Sequence, residues 1–331
     1  VFCAWWELEE YRRPYTGFEL SDYERELKRR YSLDNEQLAW RRWCIENNCA
    51  GDLQLFRQEY PACPEEAFLS TGSCIFDKDA IMGRLNDGVK PLYRARLHYA
   101  CAVEQGLERL AFHGAEPSER GGVWVYEEPQ EGVPYVIGAD TAGDGSDWFV
   151  AQVVNNITGK QAAVLRRKYD EDAFACEVMA LGYWYNTALL GIEANFSTYP
   201  IKTVERLGYP RQFMREQEDT YTHRPQKKWG FRTTMQTRPV ILADLVRLVR
   251  EQPELISDAQ TLREMLVFVK NERGRPEAMQ GEHDDCVMAL AIAHYIRPQQ
   301  TSWVEGGAVL RGWERADDYT SQMDDFMSFG G

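Results

Sequence analysis

Three carboxylate-bearing stretches hold the chemistry this sequence can do. Tyr135-Val136-Ile137-Gly138-Ala139-Asp140 is an apolar run that ends on an acid, followed by the turn formers Thr141-Ala142-Gly143-Asp144-Gly145-Ser146-Asp147. A buried strand delivers a carboxylate to its own edge in this way. Leu189-Leu190-Gly191-Ile192-Glu193 repeats the device, and Glu282-His283-Asp284-Asp285 opens a stretch, Cys286 to Ala293, that is apolar all round. Taken singly, each acid has a bland explanation: a turn for Asp140, an arginine partner for Glu193, helix capping for Asp284 and Asp285. Taken together they require more, because a carboxylate desolvated at the end of a buried element is costly unless something pairs with it.

If the three stretches converge, Asp and Glu with little His suit the hard cations Mg2+ and Mn2+, which favour carboxylate and water oxygens. Two such ions about 4 Å apart would hold the attacking water and the leaving 3′ oxygen of an in-line phosphodiester displacement. Asp140 is the candidate bridge between them, with Glu193 on one ion and Asp284 or Asp285 on the other. A Ser/His/Asp reading fails, since there is no Gly-x-Ser-x-Gly elbow and the five histidines are scattered.

The elements that must position these acids follow from the pattern. Tyr135 to Asp140, Trp148 to Val154 and Gln161 to Arg167 are expected to form a three-stranded antiparallel meander, with Asn155-Asn156 and Thr158-Gly159 at the last turn. An amphipathic helix over 170–185 leads into the strand ending at Glu193. Further helices are expected from Pro200 to Gly208, from Thr237, from Asp258 to Phe268 and from Asp284 to Ile296. A meander followed by alternating helices and strands specifies an α/β fold. Upstream, Ser21-Asp22-Tyr23-Glu24 and Asp34-Asn35-Glu36-Gln37 fit the capping-box pattern, so helices are expected near 22–30 and 35–47. Val1 to Trp6 is read as a strand arriving from something upstream, and the chain as lacking its natural N-terminus. The expected division is a mainly helical connector over 1–118, an α/β domain over 119–297 and a flexible acidic tail over 298–331.

Composition bounds the class. The chain has 331 residues, 44% hydrophobic and 12% aromatic, enough for a packed core. Its apolar runs fall short of a membrane span, no basic-then-apolar leader precedes them, and the eight cysteines form no CxxC pair. A soluble protein with reduced thiols is expected. The formal charge of −14 argues against a general nucleic-acid-binding surface, but residues 133–300 carry 22 acids against 20 bases. Some of those bases bunch as Arg224, Lys227, Lys228, Arg232 and Arg238, with Trp229 and Phe231 interleaved. The run reads as a solvated edge strand or, beside an acid cluster, as a phosphate-contacting surface.

The series Gly138-Ala139-Asp140-Thr141-Ala142, Gly191-Ile192-Glu193-Ala194-Asn195, Trp229-Gly230-Phe231-Arg232-Thr233-Thr234, Thr237-Arg238-Pro239 and His283-Asp284-Asp285-Cys286-Val287-Met288-Ala289 resembles the nuclease domain of the large terminase subunit of tailed bacteriophages. Upstream, Trp5-Trp6-Glu7 through Tyr11 and Gln58-Glu59-Tyr60-Pro61 are similar to the segment joining that family's ATPase domain to its nuclease. The resemblance implies an RNase H-like fold and a metal-dependent endonuclease that cuts concatemeric double-stranded DNA during packaging, in the cytoplasm of the bacterial host. It implies Asp140, Glu193, Asp284 and Asp285 as metal-binding acids, with Asp147, Asn195 and His283 in support. It also implies a small terminase subunit, a portal protein and an upstream ATPase domain as partners. No Gly-x-x-x-x-Gly-Lys-Ser/Thr loop occurs here, so no ATP hydrolysis is expected. Phe196-Ser197-Thr198-Tyr199 departs from the family, which usually carries a glycine there. Other readings are a transposase or junction resolvase on the same fold, and a non-enzymatic fragment that docks on a motor or portal.

Overall fold

A computed structural model describes residues 2–63, 66, 74–104, 106–141, 148–168, 170–218, 224–271, 274–279 and 281–300. Asp147 and, beyond Gln300, the expected acidic tail lie outside the described residues. The chain divides into two compact units, one of residues 1–78 with 266–280, the other of 79–265 with 281–331.

In the first unit, helices α1 (Asp22–Tyr31), α2 (Asn35–Asn47) and α3 (Leu53–Glu59) enclose an aromatic core. Both capping boxes form: Ser21 with Glu24 starts α1, and Asp34 with Gln37 starts α2. Trp40 stacks on Tyr11 at 4.1 Å between centroids and on Trp5 at 5.5 Å. The strand expected at Val1 to Trp6 is instead a single 3-10 turn, Trp5–Glu7, which buries Trp5 in that core. A short antiparallel pair, Phe268–Lys270 with Pro276–Ala278, completes the unit.

The second unit opens with α4 (Lys78–Asn86) and is built on a seven-stranded sheet. Its strands are β1 (Tyr93–Glu104), β2 (Leu107–Pro117), β3 (Val123–Val125), β4 (Tyr135–Asp140), β5 (Phe149–Asn155), β6 (Gln161–Arg167) and β7 (Leu189–Ile192), in the order β2-β1-β3-β6-β5-β4-β7. The meander β4-β5-β6 is antiparallel, and β7 returns parallel to β4. This mixed sheet, an antiparallel meander whose first strand pairs in parallel with a strand returning through a helix, is the RNase H-like arrangement. The long hairpin β1–β2 falls where a helical connector was expected, so the sheet takes in residues ahead of position 119. Most of its residues are exposed or only partly covered, so it lacks the continuous apolar runs that mark β4 and β5.

Helices sit on both faces. α5 (Glu171–Trp184) covers one, where Phe174, Val178 and Leu181 meet Ile137, Ala139, Ala151 and Val153. After α6 (Tyr199–Arg206), the hairpin of β8 (Met214–Glu218) and β9 (Pro225–Trp229) and the helices α7 (Thr237–Glu251) and α8 (Ala259–Leu266), the chain reaches α9 (Asp285–Ile296) and a last 3-10 turn, Arg297–Gln299. α9 lies on the second face, with Ala289 and Cys286 against Val150 and Val164, and α7 packs beside it. That double cover explains why α9 carries no polar stripe: everything from Cys286 to Ala293 is buried. Among the described residues no helix is long and apolar enough to cross a membrane.

Candidate metal centre

Two strands and one helix bring the acids together. In the parallel pair β4–β7, Gly138 faces Gly191 and Ala139 faces Ile192, and the Glu193 N–H donates to Ala139 O at 2.9 Å. One step further along the same register, Asp140 and Glu193 stand side by side on the face shared with the two glycines. Those glycines decide how near α9 can come. A Cβ on Gly138 would lie 2.2 Å from both Ala289 O and Ala293 N, and one on Gly191 would lie 2.8 Å from Ile296 Cδ1. Without side chains there, the helix rests on the strand backbone and its first residues reach the strand ends. A cleft of about 600 Å³ results, lined by Asp140, Glu193, Asn195, Arg238, Asp284 and Asp285 among others.

The acids differ in their surroundings. Asp140 and Glu193 are 7% and 5% exposed. Burial above all, then the charge of Glu193 and a hydrogen bond shared with it, push the Asp140 carboxyl well above the usual carboxylate range, and Asp285 and Asp284 add to the push. Asp284 occupies the N-cap position of α9 but makes no side-chain cap. Its carboxylate accepts from Arg238 Nη2 at 2.8 Å instead. His283 Nδ1 stands 3.7 Å from Asp285 Oδ2, an ion pair only when the imidazole is protonated. Asn195 makes a reciprocal pair with Thr233, its amide donating to Thr233 O at 2.7 Å and its Oδ1 accepting from Thr233 N at 3.0 Å. It thereby ties the end of β7 to the segment that leads into α7 and Arg238.

Of the sequence-derived site residues, Asp140, Glu193, Asn195, His283, Asp284, Asp285 and Arg238 all line this cleft. The other bases are placed differently: Arg224, Lys227, Lys228 and Arg232 are exposed, with Lys227 and Lys228 on β9 opposite Glu216 and Arg215 of β8. Thus Lys227 and Lys228 lie on a separate two-stranded hairpin, Arg224 and Arg232 flank it, and Arg238 is a cleft residue. Sequence reasoning missed two residues beneath the cleft, Gln152 and Glu264. Gln152 had a signal, a lone polar residue inside the apolar run Phe149-Val150-Ala151-Gln152-Val153-Val154. Glu264 had none, since one charge in an amphipathic helix is ordinary.

In donor chemistry the cleft fits a hard divalent cation: its acids are oxygen ligands, and Asp140 is crowded by negative neighbours that a cation would relieve. Asp140 and Glu193 are already in contact. Among the described residues, however, no three acid, histidine or cysteine side chains stand close enough to ring one ion. Asp284 is drawn toward Arg238.

No family model and no curated protein matches this sequence. Solved structures similar to the chain include the large terminase nuclease of thermophilic phage G20c with bound magnesium, at 17% identity over 68% of this chain and 98% of that one, TM-score 0.46. The same nuclease with bound cobalt gives the same values. The large terminase nuclease domain of Thermus phage P74-26 is 21% identical over 58% of this chain and 90% of that one, TM-score 0.40.

Proposed function

We propose that this chain is a divalent-metal-dependent endonuclease that cuts double-stranded DNA for phage genome packaging. The observation behind this reading is that β4, β7 and α9, each buried, deliver Asp140, Glu193, Asp284 and Asp285 to one cleft. Its function agrees with the one that the resemblance to large terminase subunits implies. In it, Asp140 and Glu193 form the core of the metal site, and Asp284 or Asp285 completes it. Two Mg2+ or Mn2+ ions, when bound, supply Lewis acidity at the scissile phosphate and its attacking water. Asp140 must give up its proton for this, so cation binding is expected to release protons and to strengthen as pH rises. Arg238, paired with Asp284 in the resting cleft, would exchange that partner for a phosphate oxygen when DNA binds. Asn195 and His283 hold the cleft's margins, and Asp147 is assigned a supporting role by resemblance alone.

Arg224, Lys227, Lys228 and Arg232 are assigned to the DNA backbone. With a formal charge of −14, the chain should neutralise few phosphates, so its own binding is weak, salt-sensitive and non-specific. Recognition and delivery of DNA then fall to partners, for which a small terminase subunit, a portal protein and an ATPase domain are proposed, all within the host cytoplasm. The nuclease is assigned to residues 119–297, extended at its front by the hairpin β1–β2, whose strands join its sheet.

A docking module without activity is the second reading. The observation on its side is the lack of a closed three-acid group among the described residues. Plasmid cleavage with Mn2+, Mg2+, Ca2+ or EDTA, run beside Asp140→Asn, separates the two. The nuclease reading expects cutting with Mn2+ or Mg2+ that EDTA and the substitution both abolish. Absence of cutting with every metal would favour the docking module.

A further inference from the structure

A helix start leaves its first N–H groups without intrahelical partners, and something outside the helix must accept them. At α9 the N-cap residue does not, because Asp284 turns to Arg238. Instead the N–H of Cys286, the second residue of the helix, donates to Glu264 Oε2 of α8 at 2.8 Å. The carbonyl of the same residue accepts from Gln152 Nε2 of β5 at 3.2 Å. Cys286 is thus held at both ends, from a helix on one side and from the central sheet on the other, one peptide away from Asp285.

Both holders are themselves fixed. Gln152 is fully buried; its amide also donates to Thr261 Oγ1 at 2.9 Å, and its Oε1 accepts from Gln161 Nε2 at 2.6 Å. Gln161 Oε1 in turn accepts from the backbone N–H groups of Ser257 and Asp258 at 2.7 and 2.6 Å. Thr261 Oγ1 donates to Asp258 Oδ2 at 2.7 Å, the acid that caps α8. Glu264 is 6% exposed and is further held by Gln260. Its burial is unfavourable: it pushes the carboxyl up to about 7 even though the Cys286 and Gln260 hydrogen bonds pull the other way. Apolar side chains would pack this layer at no such cost. A fully connected polar network instead selects one geometry.

We propose that Glu264 and Gln152 are positioning residues that clamp the Cys286 peptide and thereby set where Asp284 and Asp285 stand in the cleft, an inference that rests on the metal-centre reading above. Outer partners that orient ligands in this way typically account for about 10- to 100-fold in metal affinity. The test is calorimetric titration of the full chain with Mn2+ alone, comparing wild type, Glu264→Ala and Glu264→Gln, whose amide oxygen keeps an acceptor for the Cys286 N–H. Glu264→Ala should weaken Mn2+ binding about tenfold or more, and Glu264→Gln should restore most of it. Wild-type affinity in Glu264→Ala overturns the proposal, and so does an equal loss in both variants. Should Glu264→Ala fail to fold, Glu264→Asp, which withdraws the acceptor by one methylene, takes its place with the same expectation.

A wild type that takes up no Mn2+ would sink the metal-centre reading, and the clamp would then be judged without metal. Amide hydrogen exchange across residues 283–290 should accelerate in Glu264→Ala and not in Glu264→Gln. Unchanged exchange in Glu264→Ala overturns the clamp whatever the metal does.

Discussion

Asp140 is placed against its own stability. Buried beside Glu193, its ionised form is disfavoured in the folded chain, so the native state holds a proton that the unfolded chain releases at ordinary carboxylate pH. Because the native value is raised, this penalty is absent below about pH 4 and grows as pH climbs through the raised native value. Asp140→Asn should therefore melt at a higher temperature than wild type in EDTA at neutral pH, with the two converging near pH 4, and should lose detectable cutting. Equal melting curves across that range would contradict the assigned burden. Glu24 shows the opposite sign. Burial raises its carboxyl, but Arg42 and Ser21 outweigh that and bring it from its ordinary 4.5 down to about 2. Its contribution is present above about pH 4.5 and is lost as pH falls through about 2. Glu24→Gln should cost about 1–2 kcal/mol at pH 7, a figure kept low because Arg42 is partly exposed and its pull screened. Denaturant unfolding at pH 7 and below pH 3 checks it, with the gap closing in acid.

At the scale of elements, the close seating of α9 on β4 is what the site depends on, and it rests on Gly138. Gly138→Ala would drive a methyl into the Ala289 carbonyl and the Ala293 N–H, backbone that cannot step aside. The expected cost lies at the upper end of the roughly 1–3 kcal/mol of overpacked cores, with Mn2+ affinity falling alongside. A variant that melts and binds as wild type does would mean that the helix seats elsewhere. On the outer hairpin, Lys227→Ala combined with Lys228→Ala should weaken cutting and flatten its salt dependence, the log–log slope falling by up to about 2. An unchanged slope would remove β9 from the DNA path.

These elements also show what a single sequence makes legible. The strands Tyr135–Asp140 and Gln161–Arg167 have the bounds their apolar runs implied, and both capping boxes in the first unit formed. Burial on both faces, or a local side-chain bond, writes such features into neighbouring residues. The hairpin β1–β2 lacked that signature because much of it is exposed, and the seating of α9 on Gly138 depends on residues some 150 positions apart. Among the acids, the apolar runs identified which carboxylates end buried elements. They could not reveal that Asp284 would turn to Arg238, or that Glu264 would take the cap in its stead.

For the whole molecule, an acidic chain whose cleft is lined by five carboxylates, Asp140, Glu193, Glu282, Asp284 and Asp285, should be stabilised by the ions it lacks in EDTA. Mn2+ at about a hundred times its dissociation constant should add about 2.7 kcal/mol, read as an upward shift in melting temperature that Asp140→Asn does not share. Where the ion sits tests the central claim most directly, through anomalous diffraction at the manganese edge from crystals of the chain soaked in Mn2+. The account predicts anomalous density in the cleft, in contact with Asp140 and Glu193 and approached by Asp284 or Asp285. An empty cleft in crystals of a chain that cuts DNA with Mn2+, or density only at other sites, would contradict it.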